Sequence, residues 1–597
     1  MKKHKNFIEH IIDQDLRNGF DKNLLKFRFP PEPNGYLHIG HVKAIVLNFE
    51  LAKEYGAKIN LRFDDTNPEK EEQKYIDAIK ENINWLGYNW DEELYASDYF
   101  DILFEWALSL IKSGKAYVDS QTSEEIASQK GTPTEPGSES PYRNRPIEEN
   151  LELFNQMKNG DFDPGENVLR AKIDMASPNM LMRDPVIYRV VKKPHPRTKD
   201  KWVVYPMYDW THGESDYIEQ ISHSLCTLEF KPHRELYDWF LDQVVEDNKI
   251  RPKQREFARL NLSHTITSKR KLLFLVENNV VDGWDDPRMP TISGLKRRGY
   301  TPEALRKFVE TAGVAKRENV IEMSLLEFCV REDLNKKSNR LMVVQDPLKI
   351  TIKNYEKDNE ILLLENNPEA EVKVNREVCF SKTIYIEKED FMEDPPSKFF
   401  RLTTGKEVRL KGAYIIKAES VLKDSDGNIK EVICTYDSKS KSGSGTPESQ
   451  RKVKGTLHWV SAENSVDLEI REYDRLFTHQ SPGDFDPLEF NSILNNDSVK
   501  IYNGYGESAI KKTSQNAVFF RVHISENVSK RDSPRSTWVV CTRPSLAWLT
   551  SPRIGLARLA CTSNNSSGAP RLQRPGCCCE VQARRARPIH GEVSQAR

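Results

Sequence analysis

The chain has 597 residues, of which 38% are hydrophobic and 30% charged, and its formal net charge is −1 at pH 7. This length predicts about three to five domains, and the composition is that of a globular chain rather than a disordered one. A net charge near zero excludes a global basic field, so a nucleic acid would have to bind local patches of Lys and Arg. Candidate patches are residues 192–197, 269–271 and 296–298.

The N-terminal segment and the cysteines favour a cytoplasmic protein. The lysine-rich start lacks the apolar core of a signal peptide because Asp13 and Asp15 interrupt it. No run of about eighteen apolar residues predicts a membrane span. The four cysteines before residue 530 are too scattered for a disulfide framework or a zinc site. We therefore expect no membrane association and no permanently bound metal.

The first half of the chain predicts an α/β domain. Residues 24–29 predict a strand, and the prolines and glycine of residues 30–35 exclude regular structure there. Apolar residues from Ile39 recur at helical spacing until Gly56, and residues 58–63 predict a second strand. A strand, a helix and a strand in this order predict a parallel sheet. Further helical patterns cover residues 70–115, 218–245 and 270–335.

The hydrophobic pattern of the sequence changes after Asn339. Short apolar runs bounded by turn residues are typical of a β-sandwich or barrel. These runs are residues 341–344, 383–386, 413–416 and 431–434. We therefore predict that an all-β half follows the α/β half.

The most informative polar pattern lies at the start of the first predicted helix, in residues 29–41. His38 and His41 are three residues apart and share one helix face. A helix N-terminus attracts phosphate, and Gly40 allows a flat ligand to approach the backbone closely. The pattern favours a nucleotide site, although a bare His-x-x-His pair more often caps a helix or fills a polar gap.

A second basic element, Ile-Thr-Ser-Lys-Arg-Lys, occupies residues 266–271. Its Lys269 is suited to close on a triphosphate and deliver positive charge as the leaving group forms. By itself this run also fits an exposed basic loop.

Together, the two elements resemble the signature motifs of the class I aminoacyl-tRNA synthetases, and residues 30–41 resemble the glutaminyl-tRNA synthetases in particular. The resemblance runs from about residue 7 to 510. It is carried in fixed order by residues 60–68, 169–175, 205–209, 223–230, 283–288, 405–410 and 454–461.

The resemblance implies an α/β plus all-β fold with a Rossmann-like catalytic domain, an inserted acceptor-stem-binding domain, a helical subdomain and two C-terminal β-barrels. The implied boundaries are 1–98 and 208–257 for the catalytic halves, 99–207 for the insertion, 258–337 for the helical subdomain with the Ser-Lys-Arg loop, 338–520 for the anticodon-binding barrels (distal barrel about 354–455), and 521–597 for an anomalous tail.

The resemblance also implies a reaction. Such a ligase activates L-glutamine with ATP and Mg²⁺ to glutaminyl-adenylate. It then transfers the glutaminyl group to the 2′-hydroxyl of the terminal adenosine of glutamine tRNA, which must be bound before activation. The expected partners are therefore glutamine tRNA, L-glutamine and ATP, with Mg²⁺ entering as part of the ATP complex, and we expect a monomer.

By the family pattern, three residues are catalytic and act on the ATP phosphates: His38, His41 and Lys269. The ATP-binding set adds Glu32, Pro33, Asn34, Gly40, Arg259, Ser268 and Arg270. The glutamine-binding set is Arg28, Asp64, Tyr208, Cys226 and Gln254. The anticodon-binding set is Lys316, Arg340 and Arg401. A pocket of hydrogen-bond acceptors would reject glutamate, because one acceptor would stay unpaired.

Three internal positions depart from the family pattern. Thr267 stands where Met or Leu is usual, and we expect activity to be retained because residues 268–270 are intact. Pro232 replaces an acidic residue with which some relatives contact the acceptor stem. Gly213 stands where Cys is common, and the sequence offers no reason for it.

The tail is the largest departure. Eleven arginines but no lysine follow Lys530, and five of the nine cysteines lie beyond residue 540. The aromatic-rich strand and the Asn-Arg-Thr-Val stretch that end family chains are missing. We predict that the tail beyond about Ala517 is not a native domain and that it leaves a sheet edge of the adjacent barrel unpaired. The alternative is a basic RNA-binding appendage.

Two alternative functions remain open. A glutamyl-tRNA synthetase of the β-barrel type is disfavoured by Pro33 and Asn34, since glutamyl enzymes usually carry Ala-Ser or Pro-Thr there. A non-catalytic tRNA-binding paralogue is disfavoured by the intact His38, His41 and Lys269.

Overall fold

The computed structural model describes residues 5–246 and 248–512, together with the backbone of three later strands at 518–524, 535–540 and 554–559. None of the helices in this described part is both long enough and apolar enough to cross a membrane.

A parallel sheet begins the catalytic half and confirms the predicted strand–helix–strand unit. Its elements are α1 (Phe7–Arg17), β1 (Lys26–Phe29), α2 (Ile39–Tyr55), β2 (Lys58–Phe63), α3 (Gln73–Trp85) and β3 (Glu92–Tyr95). The three strands pair in parallel in the order β1-β2-β3. Gly56 ends α2 in the left-handed conformation, with φ of 66°. The helical pattern predicted over 70–115 missed β3, because its four residues, two of them glutamates, are too few to show a strand alternation.

An antiparallel layer follows as the insertion. It contains α4 (Phe100–Lys112), β4 (Ala116–Asp119), α5 (Ser123–Gln129), α6 (Ile147–Asn159), β5 (Val168–Ala171), β6 (Val186–Val190) and β7 (Val204–Pro206). The sheet order is β4-β5-β6-β7. Phe104 of α4 stacks on Phe154 of α6 with ring centroids 4.6 Å apart, within an apolar core distinct from that of the first sheet.

The chain then returns to the catalytic half with α7 (Tyr208–Ile218), β8 (His223–Thr227), α8 (Arg234–Val244) and β9 (Lys253–Phe257). β8 and β9 pair in parallel. The Ser222 amide donates to the Lys26 carbonyl (3.0 Å), which places β8 beside β1. The carboxyl ends of β1, β2 and β8 therefore open on one side, where ligands bind in open parallel sheets.

A mostly helical region carries the basic loop. Its elements are β10 (Asn261–Leu262), α9 (Lys269–Glu277), α10 (Ile292–Arg298), α11 (Pro302–Ala312), β11 (Val320–Ile321) and α12 (Met323–Lys337). The Ile39 amide donates to the Pro290 carbonyl and the Ile292 amide to the Leu37 carbonyl, both at 2.8 Å. These two bonds fix the N-terminus of α2 against the helical region.

The second half is built of β-strands, as predicted. The elements are β12 (Asn339–Arg340), β13 (Val343–Val344), β14 (Pro347–Ile352), β15 (Asn359–Glu365), β16 (Asn375–Ser381), β17 (Thr383–Glu387), β18 (Glu407–Leu410), β19 (Ile415–Lys423), β20 (Ile429–Asp437), α13 (Pro447–Gln450), β21 (Thr456–Leu457), β22 (Val460–Ser461), β23 (Val466–Tyr473) and β24 (Val499–Gly506). A distal sheet has the order β21-β18-β19-β20-β14-β17-β22. It spans 347–461, slightly more than the predicted 354–455.

Three strands of the tail, β25 (Val518–Ile524), β26 (Arg535–Val540) and β27 (Ile554–Leu559), join the proximal sheet. Its order is β12-β26-β25-β27-β23-β24-β13. The expected unpaired edge is therefore wrong for the described residues, because β26 pairs with β12 and β27 with β23. The sequences of β25 and β26 each contain three β-branched residues, which suit strands. The rest of the tail lies outside the described residues, and the hypothesis that it is not a native domain stays a prediction.

Candidate active site

The two signature histidines sit at the first turn of α2. His38 is the N-cap, and its Nδ1 accepts from the Gly40 amide (3.1 Å), while His41 Nδ1 accepts from the His38 amide (3.1 Å). Both rings must therefore carry their hydrogen on Nε2, where it can be donated to a ligand. Burial lowers the pKa of His38 well below its usual value and that of His41 to about 4. The pair offers two neutral donors at neutral pH.

Lys269 reaches across the loop that precedes α2. It is the first residue of α9, with Ser268 as N-cap, and its Nζ donates to Asn34 Oδ1 (2.9 Å). A Cβ on Gly35 would lie 2.7 Å from Lys269 Cε, so a larger residue there would require the flexible Lys269 side chain to move. Asn34 in turn donates to the Glu32 carboxylate. The two signature motifs, more than 200 residues apart, are thus in direct contact.

A cavity of about 830 Å³ opens beside these motifs. Its lining contains nine of the predicted site residues: Glu32, His38, Gly40, His41, Asp64, Tyr208, Cys226, Arg259 and Ser268. The structure therefore brings together residues from both signature motifs and from the predicted glutamine-binding set.

Asp64 forms the acidic wall of the cavity, directly after β2. Its carboxylate is 6% exposed and accepts a hydrogen bond from the Thr66 hydroxyl (3.0 Å). Burial, reinforced by the negative charge of Glu32, raises the pKa of Asp64 to about 7. Because burial and the Glu32 charge disfavour the ionised form of Asp64, a nearby cation such as an α-ammonium group would stabilise that form.

Tyr208 and Cys226 also line the cavity. Tyr208 begins α7, and its ring stacks on that of His212 one turn later, with centroids 5.0 Å apart. Cys226 lies on β8, and burial raises the pKa of its thiol to about 12, so it remains neutral. His212 also lines the cavity, and the sequence analysis missed it. No helix is predicted from the sequence over residues 208–212, so the spacing of four between Tyr208 and His212 gave no signal that the two side chains share a helix face.

Arg28 and Gln254, predicted to bind glutamine, lie behind the cavity wall. Arg28 is fully buried, and its guanidinium donates to the Asp216 carboxylate. Gln254 donates to the Phe230 carbonyl (2.9 Å), while its Oε1 is buried without a hydrogen-bond partner in the described part of the chain. Neither side chain lines the cavity, so their role in binding remains a prediction.

The remaining ATP-side residues are more exposed. Arg259 lines the cavity and forms ion pairs with Glu229 and Glu318. Arg270 is exposed one residue beyond Lys269, and the Pro33 carbonyl accepts a backbone hydrogen bond (3.2 Å) that holds the loop. Arg259 and Arg270 therefore sit where solvent reaches them, whereas Pro33 is buried.

A buried group of potential metal ligands lies next to Asp64. Single ligand atoms of Asp65, Glu71 and His195 lie within 4.8 Å of one another. His195 Nδ1 accepts from the amides of Arg197 and Thr198, so Nε2 carries the hydrogen and donates to the Asp65 carbonyl (2.7 Å). Burial raises the pKa of Glu71 to about 9, which keeps it protonated. We interpret this group as a hydrogen-bonded support rather than a cation site.

Two of the predicted anticodon-binding residues lie in the β half. Arg340, on β12, is 5% exposed and donates to Glu369 (2.6 Å), and its Nε is buried without a partner among the described residues. Arg401 pairs with Asp390 (3.1 Å). Both guanidiniums are held in fixed positions by carboxylates.

Lys316 is placed elsewhere. It follows α11 in the catalytic half, with its Nζ 5.0 Å from the Phe7 ring centroid. The neighbouring Ala315 carbonyl accepts from the Ala258 amide, next to Arg259. The structure therefore does not place Lys316 on the β-barrels with Arg340 and Arg401.

The structure gives a reason for one of the three departures. A Cβ on Gly213 would meet the Tyr237 ring at 3.1 Å, so glycine lets α7 approach α8 closely. Thr267 lines the cavity. For Pro232, the structure describes one hydrogen bond, which its carbonyl accepts from the Asn179 side chain (2.9 Å).

The family description "tRNA synthetases class I (E and Q), catalytic domain" matches residues 24–336. The chain belongs to this class I tRNA synthetase family. The anti-codon binding domains of the same family match residues 338–437 and 456–520 of this synthetase.

Three curated relatives of this synthetase carry the name Glutamine–tRNA ligase. That of Clostridium kluyveri is 52% identical over 519 residues, covering 86% of this chain and 92% of that protein. That of Clostridium perfringens is 53% identical over 507 residues, covering 85% and 91%. That of Haemophilus influenzae is 54% identical over 506 residues, covering 85% and 90%.

Proposed function

We propose that this chain is a glutamine–tRNA ligase, which activates L-glutamine with ATP and transfers it to the 2′-hydroxyl of the terminal adenosine of glutamine tRNA. The observation that carries the proposal is the 52–54% identity to curated ligases of this name over about 85% of the chain. The cavity supports it, because nine predicted site residues line it together.

In the first step, a carboxylate oxygen of glutamine attacks the α-phosphorus of ATP and pyrophosphate leaves. The Nε2–H groups of His38 and His41 are oriented as donors to phosphate oxygens, and Lys269 supplies positive charge as the leaving group forms. Glu32, Pro33, Asn34, Gly40, Ser268, Arg259 and Arg270 are proposed to hold ATP, which enters as its Mg²⁺ complex.

Glutamine is proposed to lie between Asp64 and Tyr208. Asp64 supplies the negative charge that an α-ammonium group needs, and Tyr208 and Cys226 form part of the wall of the same cavity. Arg28 and Gln254 are proposed to act from behind this wall. Glutamate would leave an acceptor of this wall unpaired, which disfavours it.

The tRNA is proposed to bind along both halves of the chain. Arg340 and Arg401 lie in the part matched by the anti-codon binding domain, and the planar guanidinium suits base edges. We propose Lys316 as a contact to the tRNA body, because it lies outside the barrels. We expect a monomeric, cytoplasmic enzyme.

The decisive experiment is ATP–pyrophosphate exchange with glutamine and with glutamate, each with and without tRNA. We expect exchange that requires both glutamine and tRNA. Equal or faster exchange with glutamate would favour the glutamyl alternative, and absence of exchange with retained tRNA binding would favour the non-catalytic paralogue.

A further inference from the structure

A cluster of buried charges lies directly behind the proposed glutamine side-chain pocket. Arg28 touches the cavity wall from beneath: its Nη2 lies 3.2 Å from His212 Nε2, and its Nη1 donates to the Leu225 carbonyl (2.7 Å). His212 and Leu225 both line the cavity. A free positive charge on Arg28 would therefore act on whatever side chain occupies this end of the cavity.

Asp216 neutralises that charge. Its two oxygens accept from Arg28 Nε (3.0 Å) and Nη2 (3.2 Å), and they also accept from the hydroxyls of Ser224 (2.6 Å) and Tyr237 (3.0 Å). All four side chains are buried. Burial alone would raise the pKa of Asp216, but Arg28 and Arg62 hold it well below its usual range, so the carboxylate stays ionised.

The charges of the cluster balance. Arg62 also pairs with Asp216 (2.9 Å) and with Glu219 (3.2 Å). Two guanidinium groups thus face two carboxylates, and the cluster carries no net charge. Ion pairs buried in this way are costly to break, because each partner alone would be an uncompensated charge in a low-dielectric interior.

The fold makes room for this arrangement at Gly213. The ring of Tyr237 packs 3.1 Å from the position that a Cβ of residue 213 would occupy. A larger residue at 213 would force this ring to shift by a few tenths of an ångström, and the Tyr237 hydroxyl, which donates to Asp216, would shift with it.

We infer that Asp216 is a positioning residue that sets the preference for glutamine over glutamate, by cancelling the Arg28 charge behind the pocket wall. With the cluster neutral, an uncharged amide enters without an electrostatic cost, and a carboxylate gains no attraction that would offset its desolvation. The inference rests on the proposed glutamine activation and names the residue that enforces its specificity.

The test is Asp216→Asn, which keeps the shape of the side chain and removes its charge. We expect the KM for glutamate in tRNA-dependent pyrophosphate exchange to fall, and the glutamine-to-glutamate ratio of kcat/KM to drop about tenfold or more. The Ki of glutamate against glutamine-dependent exchange should fall with it. The matched control is Glu219→Gln, which removes a carboxylate that pairs with Arg62 but not with Arg28. It should change the ratio by a smaller factor, because Asp216 still pairs with Arg28.

A gain of glutamate affinity separates this role from a structural one, because general destabilisation weakens both substrates alike. An equal loss for both substrates, or an equal change of the ratio in Glu219→Gln, would overturn the inference. If Asp216→Asn does not fold, as judged by thermal unfolding, Ser224→Ala offers a milder test. It removes a hydroxyl shared by Asp216 and Arg28 and should lower the KM for glutamate by a smaller factor. An unchanged or raised KM for glutamate there would count against the inference.

Wild-type exchange distinguishes the two proposals. A wild-type protein without a preference for glutamine would refute the proposed function itself. A wild type that prefers glutamine, with a variant whose preference is unchanged, would refute only the role of Asp216.

Discussion

The two ends of the cavity are built differently. At the glutamine end, Arg28 and Asp216 are fully buried and paired with each other. At the ATP end, the side chains of Lys269 and Arg259 are exposed, and their partners are Asn34 and the exposed Glu229. Charge is fixed where an amino acid must be selected and accessible where phosphates must be bound.

The difference follows from the cost of breaking an ion pair. Exposed pairs contribute about 0–1 kcal/mol, whereas removing one partner of a buried pair costs about 3–5 kcal/mol. ATP phosphates can therefore displace the partners of Arg259 and Lys269 at little cost. The buried pair of Arg28 and Asp216 is costly to separate, so it is suited to hold one arrangement behind the proposed glutamine pocket.

Of the substitutions considered, Lys269→Ala should lower the activation rate most. Lys269 is proposed to stabilise charge on the leaving phosphate, which is worth roughly 3 kcal/mol, or about a hundredfold in the activation rate. Pyrophosphate exchange and tRNA binding measure the two quantities separately. Lys307→Ala, which removes an exposed lysine far from the motifs, is the control. Loss of tRNA affinity with normal exchange would make Lys269 an RNA contact instead.

Arg340→Ala and Arg401→Ala extend the comparison to the β half, where both arginines are paired with carboxylates. An arginine that reads a base carries about 1–3 kcal/mol of discrimination, whereas a phosphate contact weakens all tRNAs alike. We expect each variant to lose discrimination between glutamine tRNA and tRNAs with altered anticodons, measured as kcat/KM for aminoacylation. Uniform weakening across the anticodons would assign both residues to phosphate binding.

The pH dependence of glutamine binding tests the proposed role of Asp64. Because the pKa of Asp64 is raised to about 7, the carboxylate forms as the pH rises through 7. The KM for glutamine should therefore fall roughly tenfold between pH 6 and pH 8. Asp64→Asn should raise KM and flatten the profile. A profile that rises with pH, or that the substitution leaves intact, would exclude this role.

The raised pKa of Asp64 should have the opposite effect on stability: a higher pH favours glutamine binding but lowers the free energy of unfolding. A carboxyl group whose pKa is higher in the folded state binds more protons there than in the unfolded chain. Asp64 should therefore lower the free energy of unfolding as the pH rises from about 4 to about 7, and Asp64→Asn should remove that dependence. Thermal unfolding of the unliganded protein measures it.

Deletion of residues 531–597 should have the smallest effect on activity. The change in composition predicts that this segment is not a native domain, so aminoacylation should remain within a few-fold. The pairing of β26 and β27 in the proximal sheet provides a direct contrast. A deletion that abolishes aminoacylation, or a sharp drop in thermal stability, would show that these strands contribute to the barrel.

The sequence by itself predicted the architecture and nine of the residues that line the cavity. Strand β2 and helix α2 lie at the predicted positions, because apolar periodicity and Gly56 are local signals. Both signature motifs, residues 29–41 and 266–271, could be recognised in the sequence, since phosphate chemistry requires particular residue types. The short strand β3 was missed because four residues, two of them glutamates, are too few to show an alternating pattern.

Only the tertiary structure decided which charges face the ligand. It placed Arg28 behind the wall, paired with Asp216 almost 190 residues away, and it added His212 to the lining. It also explained Gly213 through the ring of Tyr237. Pairing of this kind depends on which elements pack together. The residues adjacent in sequence therefore do not show whether a charged side chain is unpaired or neutralised by a distant partner.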